Sequence, residues 1–237
     1  MNNIYGDFRQ VLKGSKFNLT DLMIEQFEKY AELLIEWNQK MNLTAIVEMR
    51  EIAVKHFLDS LLVFDTYDIP NGATVIDIGT GAGFPGVPLK IVRPDLKVTL
   101  LDSLNKRLKF LDFLLSSLKI DAQLVHFRAE DAAKNTDFRE NFDVVVARAV
   151  APLNILLEYC VPFVKINGVF LALKGSNVNY ELKNSQNAQK CLNVKVINLK
   201  NFSLADEDDR SIVVFKKLTK VSNIYPRHSS KISKKPL

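Results

Sequence analysis

A cluster of glycines directly after a short apolar run constrains this chain more than any other stretch. Residues 73–78, ATVIDI, are apolar and rich in β-branched side chains, which is typical of a strand buried on both faces of a sheet. Glycines follow at Gly79, Gly81, Gly83 and Gly86. Glycine reaches positive φ angles and lets the backbone approach a neighbour closely, whereas residues with a Cβ do neither readily. The stretch therefore predicts a sharp bend with something packed against it.

A helix signal follows the bend at once. Pro85 suits a first helical position, and the apolar run 87–92 ends at Arg93 and Pro94. Strand, bend and helix form the first unit of a doubly wound sheet, in which ligands bind beyond the carboxyl end of the strand and free helix N–H groups favour an anion. We therefore predict a ligand site at the bend. A tight turn without a ligand is the alternative.

The glycine spacing leaves the kind of ligand open. Residues 81–86 match G-x-G-x-x-G, the pattern of dinucleotide sites, and residues 79–83 match G-x-G-x-G, the pattern of sites for nucleoside methyl donors. A second predicted strand, 97–101, ends in Asp102, where a carboxylate accepts hydrogen bonds from both ribose hydroxyls. Both kinds of site share this acidic residue. An aspartate that only starts a helix is the alternative, and Ser103 is predicted to cap that helix.

Two further strands lead to polar residues at the same sheet edge. The third strand, 123–127, runs into RAED at 128–131, which faces the adenine in a nucleoside site. The fourth strand, 142–147, is followed by Arg148. A charge at the end of a buried strand is costly unless it is paired or lies in a cleft. We therefore predict that Arg148 faces a ligand, with a surface salt bridge as the alternative.

The last part of the sheet favours one class of site. A fifth strand is predicted at 168–173, an exposed helix at 177–190, and strands at 194–199 and 211–215 around the acidic loop 205–209. Two successive strands without a helix between them predict an antiparallel hairpin. A nicotinamide-binding fold continues with β-α-β units instead. The sequence thus predicts an α/β fold whose terminal hairpin favours a methyltransferase over an oxidoreductase.

The chain divides into three predicted parts: a helical cap at 1–70, a sheet domain at 71–217 and a basic tail at 218–237. Amphipathic spacing predicts helices at 20–37 and 48–64 in the cap. His56 and Asp59 share one face of the second helix, either as a hydrogen-bonded pair near a site or as a structural pair.

Charge and composition bound the functional class. The net charge is +5, and residues 216–237 hold seven Lys or Arg and no acidic residue. A basic arm with Tyr225 and Arg227 predicts contact with phosphates, and a solvated disordered tail is the alternative. No apolar run is long enough to cross a bilayer and no signal peptide is evident, so we expect a cytoplasmic protein. Cys160 and Cys191 lack metal-ligand or disulfide spacing, and no metal site is expected.

Several motifs, in order, resemble the ribosomal RNA small-subunit methyltransferase G family, also called glucose-inhibited division protein B. The likeness runs from about Trp37 to the final residues. It is carried by NLTA at 42–45, HFLDS at 56–60, DIGTGAGFPG at 77–86, LDS at 101–103 with KR at 106–107, RAE at 128–130, ARAV at 147–150, KG at 174–175 and YPR at 225–227. The bend with its prolines and the Ala-Arg-Ala segment are the most specific of these.

The resemblance implies a class I, Rossmann-like methyltransferase that transfers a methyl group from S-adenosyl-L-methionine to N7 of a guanine in 16S rRNA, near the decoding region of the small subunit. It implies donor contacts from the bend and the following strand ends, at Asp77, Gly79, Gly81, Gly83, Phe84, Asp102, Ser103, Ala129, Glu130 and Arg148. It implies RNA contacts from Lys174, Tyr225 and Arg227. His228-Ser229-Ser230 departs from the glycine and arginines that usually follow Tyr-Pro-Arg, which leaves the RNA contacts of the tail open.

Methylation at guanine N7 fits both the residues that the sequence contains and those that it lacks. A C5-pyrimidine methyltransferase needs a cysteine nucleophile, and a methyltransferase of exocyclic amines commonly carries an Asn/Asp-Pro-Pro-aromatic clamp; the sequence has neither. Guanine N7 has a lone pair and no proton, so we predict that Arg148 positions the reactants and that no residue acts as a base. A nicotinamide-dependent oxidoreductase and a non-enzymatic nucleoside- or RNA-binding module are the alternatives. We expect a monomer, and removal of the chain after Phe215 is expected to weaken RNA binding with little effect on donor affinity.

Overall fold

A mixed β-sheet forms the centre of the molecule. The computed structural model describes residues 4–204 and 209–237, with side chains from Asp7 onward. Within these ranges the strands are Thr74–Ile78 (β1), Lys97–Asp102 (β2), Gln123–His126 (β3), Phe142–Arg148 (β4), Val164–Lys174 (β5), Val194–Ser203 (β6) and Asp209–Lys217 (β7). The seven strands lie in the order β3-β2-β1-β4-β5-β7-β6.

Helices cover the sheet on both faces. They are Ile4–Lys13 (α1), Asp21–Met41 (α2), Met49–Ile52 (α3), Asp59–Thr66 (α4), Gly86–Val92 (α5), Asn105–Leu118 (α6), Ala129–Ala132 (α7), Leu153–Cys160 (α8), Val178–Asn184 (α9), Gln186–Cys191 (α10) and Ser229–Lys234 (α11). A π-helical segment, Ala53–Leu58, joins α3 to α4, and a 3-10 turn, Val161–Phe163, follows α8. No helix in the described ranges has the length and hydropathy to cross a membrane.

The strand pairing confirms the predicted doubly wound sheet with a terminal hairpin. β1 to β5 pair in parallel, with β1 between β2 and β4, and β7 runs antiparallel to both β5 and β6. This order brings the carboxyl ends of β1, β2 and β4 together at one edge. The acidic loop predicted at 205–209 lies largely outside the described residues, and only Asp209 is described, as the first residue of β7.

The N-terminal helices share a hydrophobic core with one face of the sheet. Phe27 and Phe57 are fully buried in the same apolar cluster as Val75 of β1 and Leu100 of β2. A second cluster fills the other face and joins β4 and β5 to α8. Truncating a buried phenylalanine to alanine costs about 3–5 kcal/mol, so these helices and the sheet stabilise each other substantially.

Several helix ends differ from the sequence prediction, those of α2 and α6 among them. α2 begins after Thr20 as predicted but continues to Met41, four residues further, where Asn42 in the left-handed region ends it with an N–H bond to the carbonyl of Asn38. The predicted cap by Ser103 is wrong, because α6 begins at Asn105 and no side chain caps it. Asp102 Oδ1 instead accepts the N–H of Leu104 at 2.9 Å. Asp102 thus bonds the residue before the helix, and α6 itself has no side-chain cap.

Candidate active site

The bend after β1 has the backbone conformation that its glycines predict. Gly79, Gly81 and Gly83 have φ angles of +68°, +62° and +102°. A Cβ on Gly79 would lie 2.8 Å from Val150 Cγ2, and one on Gly83 would lie 2.5 Å from the hydroxyl of Tyr30. Gly81 has no atom closer than 3.9 Å at the same test position, so this part of the bend faces open space. Gly79 and Gly83 therefore allow close packing of the bend, whereas Gly81 leaves open space beside it.

Asp77 connects the two ends of the bend through hydrogen bonds to its side chain. Its Oδ2 accepts hydrogen bonds from Thr80 Oγ1 at 2.7 Å and from the N–H of Gly86 at 2.8 Å. The side chain is fully buried, and this burial raises its pKa to about 6. Among the described residues, none donates a hydrogen bond to Oδ1. Asp77 thus shapes the bend, and its Oδ1 is a buried acceptor beneath it.

Asp102 closes the bend from the end of β2. Its Oδ2 accepts the N–H of Gly81 at 2.9 Å and Nη1 of Arg107 at 3.2 Å, while Oδ1 accepts the N–H of Leu104. A carboxylate offers about four acceptor positions, so these three bonds leave room for a further donor. The Arg107 side chain is 35% exposed, so its bond to Asp102 lies at the solvent side of the carboxylate.

A cavity of about 300 Å³ opens beside this bend, and we call it the bend cavity. Its walls come from the ends of β1, β2 and β3 and from the segment after β4: Ile78, Gly79, Leu101, Asp102, Ser103, Arg107, Phe127, Arg128, Ala129, Glu130, Ala149, Val150 and Tyr159. The volume is within the range of small-molecule sites, about 300–1,000 Å³. The carboxylates of Asp102 and Glu130 suit a ligand that brings hydroxyl or amino donors.

A larger cavity of about 550 Å³ lies at the opposite sheet edge, among Thr74, Lys97 and Gln123. These residues begin β1, β2 and β3. Ligands of open parallel sheets bind beyond the carboxyl ends of the strands, not the amino ends. The bend cavity is therefore the better candidate site despite its smaller volume.

Arg148 is held by the N-terminal helices. Its Nη1 donates to Asp59 Oδ2 at 2.7 Å and to the carbonyl of Lys55 at 3.2 Å, and its Cζ lies 4.8 Å from the ring centre of Phe84. The side chain is 15% exposed. Asp59 also pairs with Arg210 Nε at 3.3 Å, so one buried carboxylate links two arginines. Arg148 is thus fixed in place, with its guanidinium against Phe84 of the bend.

His56 is a neutral acceptor in this cluster. Burial and the nearby positive charge of Arg148 lower its pKa to about 3. Its Nδ1 lies 3.3 Å from Arg148 Nη2, and its Nε2 lies 2.8 Å from Thr44 Oγ1. Nδ1 also lies 3.2 Å from the carbonyl of Lys55, and that carbonyl already accepts from Arg148 Nη1. Because a guanidinium only donates, Nδ1 is assigned as an acceptor from Arg148 Nη2 and the ring proton is assigned to Nε2. Arg148 therefore lies between His56 and Asp59, and both residues position it.

Phe84 packs away from the bend cavity. Its ring stacks on Tyr30 at 5.2 Å and on His56 at 4.6 Å, and only 5% of the residue is exposed. Tyr30 also donates a hydrogen bond to the carbonyl of Ala82. The ring anchors the bend to the N-terminal helices and not to the bend cavity. A contact between Phe84 and the methyl donor stays a prediction.

Another cavity, of about 360 Å³, lies beside the bend cavity, and we call it the arginine cavity. It is lined by Ile46, Lys55, His56, Asp59, Arg148, Ala149, Leu173, Lys174, Gly175, Glu181, Arg210, Ser211 and Ile212. Ala149, with a positive φ of 56°, lines both cavities. Both cavities therefore border the backbone immediately after Arg148.

The structure distributes the predicted RNA contacts over different places. Lys174 lines the arginine cavity, where its Nζ is 2.7 Å from Glu181 Oε2. Tyr225 and Arg227 line neither cavity, and Arg227 pairs with the buried Glu158. Arg210, which also lines the arginine cavity, is not predicted from the sequence. Its only signal there is a positive charge at the start of a predicted strand, which is too common to identify a site.

Fold and site together define a class I methyltransferase: a doubly wound sheet with a terminal hairpin, a glycine bend after β1 and an acidic residue at the end of β2. The YcgJ protein of Bacillus subtilis has the same fold, with a TM-score of 0.54 and 13% identity over 69% of this chain and 100% of that one. TYW2 of P. horikoshii, solved in complex with MeSAdo, has a TM-score of 0.50 and 11% identity over 63% of this chain and 58% of that one.

The sequence model of the rRNA small subunit methyltransferase G family matches residues 23–213. The ribosomal RNA small subunit methyltransferase G of Thermoanaerobacter sp. (strain X514) is 51% identical over 90% of both chains. That of Desulforamulus reducens is 44% identical over 100% of both chains. This chain belongs to the rRNA small subunit methyltransferase G family, whose members depend on S-adenosylmethionine. The predicted methyltransferase is confirmed, and the oxidoreductase and the non-enzymatic module are not favoured.

Proposed function

We propose that this chain methylates N7 of a guanine in 16S rRNA, with S-adenosylmethionine in the bend cavity and the guanine in the arginine cavity. The observation that carries this proposal is that Ala149 lines both cavities and directly follows Arg148, whose guanidinium is held by Asp59. A methyl transfer needs two ligand spaces with one point of contact, because donor and acceptor react only when they are held together in line.

The residues of the bend cavity fit the donor. Asp102 has an acceptor position available for a ribose hydroxyl, and Ala129 with Glu130 lies where the adenosine would be held. Gly79 and Gly81 supply backbone at close range for the methionine part of the donor, and Asp77 holds that backbone in shape. Ser103 lines the same cavity.

Replacing Gly79 by alanine is expected to weaken donor binding at least tenfold. The new Cβ would lie 2.8 Å from Val150 Cγ2, so Val150 has to shift within the wall of the bend cavity, and the φ of +68° adds strain of about 1–2 kcal/mol. Titration calorimetry with S-adenosylhomocysteine measures the affinity. Gly72→Ala is a matched control, because Gly72 has nearly the same φ, +67°, with no atom within 4 Å of the new Cβ. Equal loss of affinity in both variants would contradict the steric explanation.

The arginine cavity fits a guanine. An arginine guanidinium is the usual protein partner of the O6 and N7 edge of guanine. Here we propose that Arg148 donates to O6 and leaves N7 free for the methyl group. Asp59 and His56 hold the guanidinium, so its direction is set before the base arrives. N7 lies in the deep major groove of A-form RNA, so the target base has to be in a loop, a bulge or a distorted helix.

The transfer itself needs no proton acceptor. S-adenosylmethionine supplies an electrophilic methyl group, the N7 lone pair forms the new bond, and sulfur keeps the electron pair of the old one. The protein residues only position the reactants and exclude water. His56 faces the guanidinium of Arg148 and is neutral, which suits a positioning role and not a proton relay.

The rate of methylation at saturating substrates is expected to be flat between pH 7 and pH 9. The pKa of His56 is lowered to about 3 and the pKa of Asp77 is raised to about 6, so both groups are deprotonated throughout this range. Protonation of Asp77 would change the bend only as the pH falls below about 6. Single-turnover rates with labelled donor measure the profile. A tenfold rise in rate per pH unit within the range would reveal an essential base and contradict the mechanism.

The proposed substrate is tested directly by a chemical map of the product. Small-subunit RNA is incubated with the protein and tritiated S-adenosylmethionine, then treated with borohydride and aniline, which cleave the chain at N7-methylguanosine. We expect one cleavage position at a guanine. Incorporation of label without cleavage would place the methyl group on another atom. We further propose that the protein acts in the cytoplasm and that it is a monomer. Analytical ultracentrifugation tests the monomer through its molecular mass.

A further inference from the structure

The C-terminal tail packs on the sheet domain beside the bend cavity. Arg139 fixes its first turn, with Nη1 donating to the carbonyl of Tyr225 at 2.9 Å and Nη2 donating to that of Val221 at 3.0 Å. Val221 is 4% exposed, and it packs in the apolar cluster that contains α8. The basic tail is therefore not organised by charge alone, because its backbone and apolar side chains are bound to the domain.

A buried ion pair anchors the middle of the tail. Glu158 on α8 has no exposed surface, and its Oε1 accepts both the backbone N–H and Nε of Arg227 at 2.8 Å. Its Oε2 accepts Arg227 Nη2 at 2.6 Å. A carboxylate buried in this way needs such partners, since an isolated buried charge is strongly unfavourable. The pair fixes the start of the segment that leads into α11.

α11 then places its apolar side against α8. Ile232 is fully buried, whereas Lys231, Lys234 and Lys235 are exposed. The helix is capped by His228, whose side chain accepts the N–H of Ser230. α11 thus has one face packed on the protein and a second, basic face that is open to solvent.

Tyr159 connects this helix to the bend cavity. It follows Glu158 in α8 and lines the cavity together with Arg128 and Glu130. Burial, followed by the charge of Glu130, raises the pKa of its phenol. Hydrogen bonding to the side chain of Ser233 in α11 lowers that pKa by a smaller amount. Tyr159 thus lines the cavity that Glu130 also lines, and α8, the helix that carries Tyr159, packs against α11.

We propose that α11 is a positioning element of the bend cavity, which holds Tyr159 in the cavity wall and so sets the affinity for the methyl donor. This inference rests on the proposed function, because it takes the bend cavity as the donor site. It differs from the expectation from charge, in which loss of the tail weakens RNA binding and leaves donor affinity little changed. Arg227, Ile232 and Ser233 act through Tyr159 and are positioning residues.

The test compares the full chain with a chain that ends at His228. This truncation removes α11 and keeps the ion pair of Arg227 with Glu158, so the rest of the fold retains its anchor. Calorimetry with S-adenosylhomocysteine is expected to show a roughly tenfold weaker affinity in the truncated chain, within the usual size of such coupling. The KM for S-adenosylmethionine should rise by the same factor, while kcat at saturating donor stays within about twofold, because the reacting groups are unchanged.

Point variants separate the two roles of the tail. Ile232→Asp is expected to reproduce the weaker affinity for the methyl donor. The conservative variant Ile232→Val is expected to keep the affinity of the full chain. The triple variant K231A/K234A/K235A keeps the buried side of α11 and is expected to leave donor affinity unchanged. In a Tyr159→Ala background the truncation should cause no further loss, because two changes on one path are not additive.

The outcomes distinguish this inference from the proposed function. A full chain that fails to bind S-adenosylhomocysteine would overturn the donor site itself. A full chain that binds it, together with a truncated chain of equal affinity, would overturn only the role of α11. Full additivity of Tyr159→Ala and the truncation would show that the tail acts elsewhere. Near-ultraviolet circular dichroism of each variant verifies that the fold is retained.

Discussion

Replacing Arg148 by alanine is expected to lower the rate of methyl transfer about 100-fold or more at saturating donor, because misplacement of a reactant by 1 Å costs on that order. The guanidinium lines the arginine cavity next to Ala149, which borders both cavities, and Asp59, the carbonyl of Lys55 and His56 fix its direction. Single-turnover methylation of small-subunit RNA measures the loss. Affinity for S-adenosylhomocysteine is expected to change less than tenfold, since Asp102 and Glu130 remain in the bend cavity.

Two further variants make this prediction specific. Arg148→Lys keeps the charge but loses the planar fork that binds Asp59 and an acceptor at the same time, so most of the loss should remain. Arg50→Ala removes an exposed arginine on α3 outside both cavities and should leave the rate unchanged. Methylation at the normal rate by Arg148→Ala would mean that the acceptor is positioned by other residues.

Replacing Arg227 by methionine is expected to destabilise the protein by about 3–5 kcal/mol, because the fully buried carboxylate of Glu158 loses its main hydrogen-bonding and charge partner. For a chain of this size the loss corresponds to a fall in Tm of roughly 10 °C. Thermal unfolding followed by circular dichroism measures it.

The matched control is a tail variant of the same chemistry. Lys220→Met removes an exposed positive charge seven residues earlier and should leave Tm within about 1 °C, as surface substitutions usually do. The double variant Arg227→Met with Glu158→Met is expected to recover much of the lost stability, because neither charge is then buried. If Arg227→Met unfolds at the same temperature as the parent chain, the pair has no stabilising role.

The sheet could be predicted from sequence because its signals are local. Each parallel strand is an apolar run of a few residues followed by a polar edge, so β1, β2 and β4 and the placement of Asp102 and Arg148 at one edge follow from pattern and topology. The longer course of β5 was missed. After the buried Val164, the residues Lys165–Asn167 are partly or fully exposed, and Asn167 has a positive φ.

The partners of the site residues were not predictable in the same way. Arg148 and Asp59 are 89 residues apart, and Arg227 and Glu158 are 69 apart, so neither pairing has a local signal. α11 has six residues, too few for a periodic pattern, and its lysines dominate the composition of the tail. Whether a charge contacts solvent, RNA or a buried carboxylate depends on the three-dimensional arrangement, which composition does not contain.

The central claim is that the bend and the guanidinium of Arg148 bring a methyl donor and a guanine together at Ala149. A crystal structure with S-adenosylhomocysteine tests it most directly. We predict the ribose at Asp102, the adenine beside Ala129 and Glu130, and the sulfur directed toward the opening of the arginine cavity. A ligand found at the amino ends of the strands, or with its sulfur directed away from Arg148, would contradict the claim.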